Sequence, residues 1–212
     1  MRTDPADART ETLGGRRVLT LMAARAEYGG ELAARIDPLL TGVGPVEAAL
    51  AAGIALRSLA ARDALPEVVI CLGSAGSRVL EQGRIYQAAS VSWRDIDASP
   101  LGFPKGITPF LDQPAEIPLL TPLADMPVAR LSTGGNIVTG AAYDAIDAEM
   151  VDMETFAVAR ACQRFGLPLI GLRGISDGAE ELRHYTDWTT LLDDIDTRLA
   201  AAIDDLAAAF AA

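Results

Sequence analysis

The sequence predicts an α/β fold with a largely parallel central sheet and helices on both faces. Short apolar runs rich in β-branched residues alternate along the chain with longer segments of helical periodicity, which is typical of that fold class. Half of the 212 residues (50%) are hydrophobic, so the chain can bury a full core. Acidic residues end two neighbouring strand-like runs, at Asp152 and Asp177, and ligands bind at that edge of open α/β sheets.

The first half of the chain contains four strand-like runs and two helical segments. Residues 1–17 are polar and predict a disordered lead-in, so we expect a single domain over residues 18–212. Pro45 suits the first turn of a helix, and the alanine-rich segment after it is apolar on more than one face, which predicts burial against the sheet. The predicted strands are residues 18–22, 37–43, 67–73 and 83–93, and the predicted helices are residues 23–35 and 45–62.

The second half repeats this alternation after a long loop. Residues 94–127 are rich in proline, aspartate and glycine and predict a functional loop or lid. Leucine and isoleucine residues recur on one face of the last helix. The predicted strands are residues 128–132, 149–153 and 168–175, and the predicted helices are residues 139–146, 154–165 and 187–210.

Composition argues against several classes of protein. A net charge of -11 without a run of basic residues disfavours binding to nucleic acid and to anionic membrane surfaces. No apolar run is long enough to span a bilayer and the N-terminal residues lack a secretory pattern, so we expect a cytoplasmic protein. The cysteines, Cys71 and Cys162, lie in apolar stretches and predict buried free thiols, and a single histidine argues against a zinc site.

Familiar catalytic motifs are missing or incomplete. Residues 42–47 carry two glycines of a dinucleotide fingerprint, but Glu47 stands where the third small residue belongs. The glycine-rich stretch at residues 73–76 has no following Gly-Lys-Ser/Thr, so it is not a nucleotide P-loop. With His184 the only histidine and no Gly-x-Ser-x-Gly elbow, a Ser-His-Asp triad is disfavoured.

Three carboxylates remain as candidate catalytic groups. Asp177 follows an apolar run, and an apolar pocket favours the neutral carboxyl group, which can act as an acid near neutral pH. Glu27 ends the first strand and Glu154 heads a helix, so an acid, a base and a hydroxyl-binding carboxylate for glycosidic cleavage are available. Structural roles stay open for each: a helix N-cap for Asp177, a solvated helix residue for Glu27 and a first-turn helix carboxylate for Glu154.

Several motifs, in order along the chain from Val18 onward, resemble the nucleoside phosphorylase/nucleosidase superfamily. They are TGVGPVEAAL (residues 41–50), GSAGS (73–77), DIDASPLGF (95–103), TGAAYDAI (139–146), VDMET (151–155) and ISD (175–177). The pattern is most similar to the 5'-methylthioadenosine/S-adenosylhomocysteine nucleosidase family. The resemblance implies a three-layer α/β/α sandwich around a mixed, barrel-like sheet, and hydrolysis of the N-glycosidic bond of 5'-thio-adenosines in a homodimer. It implies neither a metal nor an organic cofactor.

The resemblance also implies roles for individual residues. Asp177 would protonate the purine N7, and Glu27 would position or deprotonate the attacking water. Glu154 would hold the ribose hydroxyls, with Met153 packed on the sugar. The other implied substrate-binding positions are Ser74, Ala75 and Gly76 in the glycine-rich loop, Tyr143 stacked on the purine, Asp144 through its backbone, and Asp152 and Ser176 beside the two acidic motifs.

The sequence departs from the family pattern in ways that keep alternatives open. Asp152 stands where glutamate is usual, and Tyr143 where phenylalanine is more common. Phosphorylases of the superfamily bind phosphate with arginines, and Arg25 or Arg78 could serve that purpose. A phosphate-dependent purine nucleoside phosphorylase is therefore the second hypothesis, and a non-catalytic nucleoside-binding module on the same fold is the third.

Overall fold

Strands and helices alternate through the computed structural model, which describes residues 2–178 and 184–212. The strands are β1 (Glu11–Leu13), β2 (Arg16–Met22), β3 (Leu39–Leu40), β4 (Val68–Gly76), β5 (Ile85–Trp93), β6 (Glu116–Pro118), β7 (Val128–Thr133), β8 (Met150–Asp152) and β9 (Leu169–Asp177). The α-helices are α1 (Gly30–Ala33), α2 (Pro45–Ala60), α3 (Thr155–Arg164), α4 (Tyr185–Thr189) and α5 (Leu192–Ala211). Short 3-10 helices occur at Pro5–Asp7, Arg25–Glu27, Ser99–Leu101 and Gly140–Ala145.

Five of the strands close into a barrel-like ring. Going round it, β4 pairs with β9, β9 with β5, β5 with β7, β7 with β8, and β8 with β4 again. The pairs β5–β9 and β4–β8 are antiparallel, whereas β4–β9, β5–β7 and β7–β8 are parallel. The sheet is therefore mixed, as the resemblance implies, and less parallel than the alternation of elements alone predicts.

Alternate side chains along the strands pack into two separate hydrophobic cores, one on each face of the sheet. On β4, Val69 and Cys71 face the core that holds α2 and α3, while Val68, Ile70 and Leu72 face the core that holds α1 and α5. Neighbouring side chains of a strand point to opposite faces, so strands covered on both sides are apolar throughout. This accounts for the uninterrupted apolar runs in the sequence and confirms helices on both faces of the sheet.

The N-terminal segment differs from the prediction of a disordered lead-in. It contains the 3-10 helix Pro5–Asp7 and strand β1, which pairs antiparallel with the beginning of β2. Ala8 is fully buried in the core that contains α2. The polar side chains of this segment are partly used in hydrogen bonds, including Glu11 with Thr20, and polarity alone does not reveal such pairing.

Two predicted helical segments also differ in detail. Residues 23–35 form only a 3-10 turn and the four-residue α1, because Gly29 and Gly30 interrupt the helical pattern. Helix α2 begins at Pro45 as predicted, but only one of its faces is buried. Its other apolar row, Val46, Leu50 and Ile54, is 67%, 56% and 47% exposed.

Most of the remaining predictions for secondary structure are confirmed with shifted ends, but the strand predicted over residues 37–43 is reduced to β3 and the helix predicted over residues 139–146 is a 3-10 helix. The predicted C-terminal helix is divided into α4 and α5, and the predicted loop over residues 94–127 contains the short edge strand β6. Both cysteines are buried and free, as predicted. Within the described residues, no helix combines the length and apolarity needed to cross a membrane.

Candidate active site

A cavity of about 580 Å³ opens where β4, β8 and β9 end. This is the sheet edge at which the sequence places the two acidic motifs. The turn after β2 and helix α4 supply further parts of its wall. The described lining residues are Ala23, Ala24, Glu27, Val43, Ser74, Ala75, Gly76, Arg94, Asn136, Ile137, Val138, Val151, Asp152, Met153, Glu154, Asp177, His184 and Trp188.

Glu27 is held in the cavity wall by strand β4. The 3-10 turn Arg25–Glu27 carries it, and the residue is only 6% exposed. Its Oε1 accepts two hydrogen bonds from Ser74, at 2.7 Å from the backbone N–H and 2.6 Å from the hydroxyl. Its Oε2 accepts the Ala24 N–H at the longer distance of 3.4 Å. A Cβ at Gly73 would lie 3.0 Å from Oε1, so glycine permits this close approach.

Asp177 ends β9 on the neighbouring side of the cavity. Burial raises the pKa of its carboxyl group, although a hydrogen bond from the Ser176 hydroxyl opposes this effect. That bond reaches Oδ2 at 2.7 Å. The backbone of Asp177 is fixed as well, since its carbonyl accepts the Ser77 N–H at 2.8 Å. Asp177 is thus a carboxyl group with a raised pKa and a fixed orientation, as an acid near neutral pH requires.

Glu154 lies at the N-cap of α3 and is 7% exposed. Its Oε1 accepts the backbone N–H of Gly44 at 2.8 Å, and Gly44 has a positive φ of 99° that favours glycine. Burial, followed by the nearby charge of Asp152, raises the pKa of Glu154 to about 7. The turn before α2 therefore contacts the cavity wall through this hydrogen bond to Glu154. With this pKa, the carboxyl group of Glu154 can change its protonation near neutral pH.

Asp152 lines the cavity, but its carboxylate oxygens are occupied by the protein. Oδ1 accepts from the Thr133 hydroxyl at 2.5 Å, and Oδ2 accepts from the Thr155 N–H and from Arg173, each at 2.9 Å. Arg173 is 2% exposed, and its guanidinium also reaches the Thr155 hydroxyl at 2.6 Å and the Cys71 sulfur at 3.2 Å. Burial acts to lower the pKa of this guanidinium, but electrostatic interactions with Cys71 and the nearby acidic groups raise it overall. Asp152 accordingly orders the floor of the cavity.

Arg94 is a second arginine of the cavity wall. It donates to the carbonyl oxygens of Ser132 at 2.5 Å, Asp152 at 3.0 Å and Asn136 at 2.6 Å. Burial lowers the pKa of Arg94. Since these carbonyls belong to the ends of β7 and β8 and to the turn between them, Arg94 ties together the backbone that presents Met153 and Glu154.

Three of the predicted site residues lie outside the described lining of the cavity. Tyr143 is buried against Val138 and Val151, and the Arg78 guanidinium lies 5.8 Å from the centre of its ring. Asp144 points outward and forms a 2.7 Å ion pair with Arg78. Ser176 is buried, and its hydroxyl lies 2.7 Å from Asp177 Oδ2 and 3.4 Å from the Ala75 carbonyl oxygen, two lining residues. The other eight predicted positions, from Glu27 to Asp177, do line the cavity.

Sequence reasoning missed Arg94, Arg173 and Trp188. A signal for Arg173 exists, because an arginine inside an apolar strand requires a buried acidic partner, and Asp152 is close by. Arg94 begins the predicted loop and Trp188 lies near the start of the predicted C-terminal helix, and neither position carries such a signal. Among the described residues, no cluster of histidine, cysteine and acidic side chains is arranged to hold a metal ion.

Comparison with known sequences links the chain to nucleoside-cleaving enzymes. The model of the phosphorylase superfamily matches residues 136–211. A 5'-methylthioadenosine/S-adenosylhomocysteine nucleosidase from Baumannia cicadellinicola subsp. Homalodisca coagulata is 30% identical in an alignment 168 residues long that covers 68% of this chain and 69% of that relative.

Solved structures share the fold at low sequence identity. The 5'-methylthioadenosine/S-adenosylhomocysteine nucleosidase of Campylobacter jejuni superposes with a TM-score of 0.73 at 18% identity, covering 93% of this chain and 99% of that chain. The corresponding enzyme of Neisseria meningitidis, in complex with methylthio-immucillin-A, gives 0.66 at 21% identity over 91% and 96%. Futalosine hydrolase of Helicobacter pylori gives 0.64 at 20% identity over 91% and 94%.

Proposed function

Because this chain belongs to the 5'-methylthioadenosine/S-adenosylhomocysteine nucleosidase family of the phosphorylase superfamily, we propose that it hydrolyses the N-glycosidic bond of 5'-methylthioadenosine, S-adenosylhomocysteine or a related purine nucleoside and releases adenine. One observation carries the proposal. A single cavity brings together Asp177, Glu27 and Glu154, three carboxylates remote in sequence that differ in their hydrogen-bond partners.

Asp177 acts as the general acid. Burial raises the pKa of the carboxyl group, which favours the protonated form, and the Ser176 hydroxyl fixes Oδ2. The acid donates its proton to N7 of the purine, which draws electrons from the bond between N9 and C1' of the ribose. The base then leaves as neutral adenine while positive charge develops on the sugar.

Glu27 handles the attacking water. Two hydrogen bonds from Ser74 hold Oε1, so the less restrained Oε2 accepts a proton from water. The water oxygen bonds to C1' as the bond to N9 breaks, and the products are adenine and the 5'-substituted ribose. The negative charge of Glu27 also stabilises the oxocarbenium-like sugar in the transition state.

Glu154 binds the sugar. Its carboxylate, held by the Gly44 N–H, accepts hydrogen bonds from the ribose 2'- and 3'-hydroxyls, while Met153 packs against the ring. Asp152 and Ser176 contribute indirectly, through Arg173 and through Asp177 respectively. Tyr143 and Asp144 lie outside the described lining of the cavity and are not among the proposed contacts.

Water is favoured over phosphate as the nucleophile. Neither Arg25 nor Arg78 is among the described lining residues: Arg25 bonds the Tyr28 carbonyl and Arg78 pairs with Asp144. The terminal nitrogens of Arg94 and Arg173 are occupied by protein groups. Acidic groups of the cavity would also repel an approaching phosphate dianion.

A homodimer completes the proposal. The exposed apolar row of α2, formed by Val46, Leu50 and Ile54, lies next to Val43, which is 56% exposed and lines the cavity. Ile137, another lining residue, is 67% exposed. A second copy of the chain packed on this row would cover the apolar end of the cavity, where the 5'-substituent would lie. The two buried free thiols fit a reducing compartment, so the cytoplasm is the proposed location.

The first experiment measures adenine release from 5'-methylthioadenosine in phosphate-free buffer. Release without phosphate supports the hydrolase, and strict dependence on added phosphate would make the protein a phosphorylase. Tight nucleoside binding without release of base from any nucleoside tested would point to a binding module. Asp177→Asn, purified in the same way, is the matched control, because a release rate that falls with this substitution belongs to the protein itself and not to a contaminating enzyme.

A further inference from the structure

A chain of hydrogen bonds connects helix α4 to the carboxylate that we assign to water. The Trp188 indole Nε1–H donates to the Ser74 hydroxyl oxygen at 3.0 Å. That hydroxyl donates to Glu27 Oε1 at 2.6 Å, and the Ser74 backbone N–H donates to the same oxygen at 2.7 Å. Trp188 also lines the cavity. The Ser74 hydroxyl therefore links three remote parts of the sequence, since it accepts from Trp188 and donates to Glu27.

The chemistry of these groups determines which atom donates and which accepts in each of these hydrogen bonds. An indole nitrogen can only donate, whereas a serine hydroxyl carries one hydrogen and accepts through its lone pairs. When Trp188 donates to Ser74, the hydroxyl hydrogen is directed away from the indole and towards Glu27. Oε1 then receives two donors, and the free lone pairs of the carboxylate lie mainly on Oε2.

We propose that Trp188 is a positioning residue for Glu27, which orients the Ser74 hydroxyl and thereby selects Oε2 as the oxygen that takes a proton from water. The inference rests on the proposed function for the role of Glu27. It adds a residue of helix α4 to the machinery, and α4 follows the strand that ends in Asp177. The C-terminal part of the chain therefore both supplies the acid, Asp177, and orients the base, Glu27.

The packing of Trp188 is distinct from this polar role. Its ring is partly buried against the core that contains α5. A purely structural tryptophan would lose only this packing on substitution by phenylalanine, whatever stands at position 74. A positioning tryptophan loses an effect that requires the Ser74 hydroxyl, and the two cases give different double-variant results.

The first test observes the hydrogen bond without substrate. The chain has two tryptophans, so ¹⁵N-tryptophan labelling gives two indole signals, and Trp93→Phe assigns them. Trp93 is a suitable reference because its indole nitrogen has no hydrogen-bond partner among the described residues. In Ser74→Ala we expect the Trp188 indole proton to move upfield while the Trp93 signal stays in place. An unchanged Trp188 signal would overturn the proposal.

The second test measures turnover. We expect Trp188→Phe and Ser74→Ala each to lower kcat by about tenfold, as loss of one hydrogen bond near a charged group suggests, with KM within about twofold of wild type. The double variant should be no slower than Ser74→Ala alone, and Trp93→Phe should keep wild-type kcat. Additive losses, or a wild-type kcat in Trp188→Phe, would contradict the positioning role.

Failure of the proposed function gives a different pattern. A wild-type protein that releases no adenine in the presence or absence of phosphate removes the assignment of Glu27 to water, and with it the catalytic part of this inference. The indole signal still decides whether Trp188 orients Ser74, because that measurement uses no substrate. Thermal unfolding of each variant identifies any loss that comes from misfolding.

Discussion

At the residue scale, the cavity holds chemically similar groups in different environments. Asp177 has a raised pKa and one serine partner, Glu154 has a raised pKa and a backbone partner, and Glu27 accepts two hydrogen bonds from Ser74. Asp152 is paired with Arg173. Since burial favours the neutral form and donors favour the charged form, these surroundings can assign different tasks to groups of one type.

Asp177→Asn is expected to lower kcat about a thousandfold, because the amide cannot supply a proton to the leaving purine. Binding of the nucleoside should remain within a few-fold of wild type, since size and shape are kept. Stopped assays of adenine release give kcat, and calorimetry gives the affinity. Asp147→Asn, which changes a carboxylate that is 95% exposed, is the control. A variant that keeps wild-type turnover would show that the acid is another group.

The raised pKa of Glu154 predicts a pH-dependent KM. Below pH about 7 the carboxyl group is protonated in the free enzyme, so it must lose a proton before it accepts both ribose hydroxyls. KM should therefore rise by up to about tenfold for each pH unit below that value, and it should level off above it. Glu154→Gln should flatten this dependence and raise KM at pH 8. A KM that does not change between pH 5 and 8 in the wild type would contradict the assignment.

The protonation of Asp177 determines how kcat changes at higher pH. Its acid function requires the protonated form, which is lost as pH rises through its raised pKa. We therefore expect kcat to fall at higher pH, while KM improves as Glu154 ionises. Together the two groups predict a bell-shaped kcat/KM.

At the element scale, helix α5 anchors the segment that follows Glu27. The Asp196 carboxylate is buried and accepts the N–H groups of Gly29 at 2.9 Å, Glu31 at 2.9 Å and Leu32 at 3.3 Å. These are donors at the beginning of α1, which are left without partners within so short a helix. The C-terminal helix thus stabilises the turn that carries a candidate catalytic residue.

Asp196→Ala should lower the free energy of unfolding by about 3 kcal/mol, because it leaves buried N–H groups without an acceptor. The amide protons of Gly29 and Leu32 should also exchange faster with solvent. Urea unfolding and hydrogen exchange measure these effects. Asp205→Ala, on the exposed side of the same helix, should stay within about 0.5 kcal/mol of wild type. Equal stability of the two variants would rule out the anchoring role.

At the scale of the whole molecule, an apolar row of α2 remains exposed beside the cavity. Exposed apolar side chains that form a continuous patch usually mark an interaction surface. The row follows helical spacing through Val46, Leu50 and Ile54, on the side of α2 opposite to its buried alanines. The proposed homodimer would bury this row and close the cavity with the same contact.

Leu50→Glu is expected to convert the dimer to a monomer, because it places a charge in the centre of the proposed interface. Sedimentation velocity distinguishes the two masses. Val128→Glu changes a residue of equal exposure (55% against 56%) outside α2 and should leave the dimer intact. We also expect weaker binding of 5'-substituted nucleosides by Leu50→Glu. A wild-type protein that sediments as a monomer would contradict the proposal.

Local pattern in the sequence determined most of the longer strands and helices of this protein. Apolar runs mark strands covered on both sides, Pro45 marks the beginning of α2, and an acidic residue at the end of an apolar run marks Asp177 as a strand-end carboxylate. These features depend on neighbouring residues and on period, which can be read along the chain. The order of the motifs along the chain identified the resemblance to the superfamily, and that resemblance implied the barrel-like sheet.

Only the tertiary structure decided how these elements meet. The antiparallel pairs that close the ring, the pairing of Arg173 with Asp152, the outward direction of Asp144 and the bond from Trp188 to Ser74 all join residues brought together by folding. Such contacts depend on where the backbone carries each side chain in space, and neither composition nor periodicity contains that information. The sequence therefore identified the candidate carboxylates, whereas the structure determined their partners.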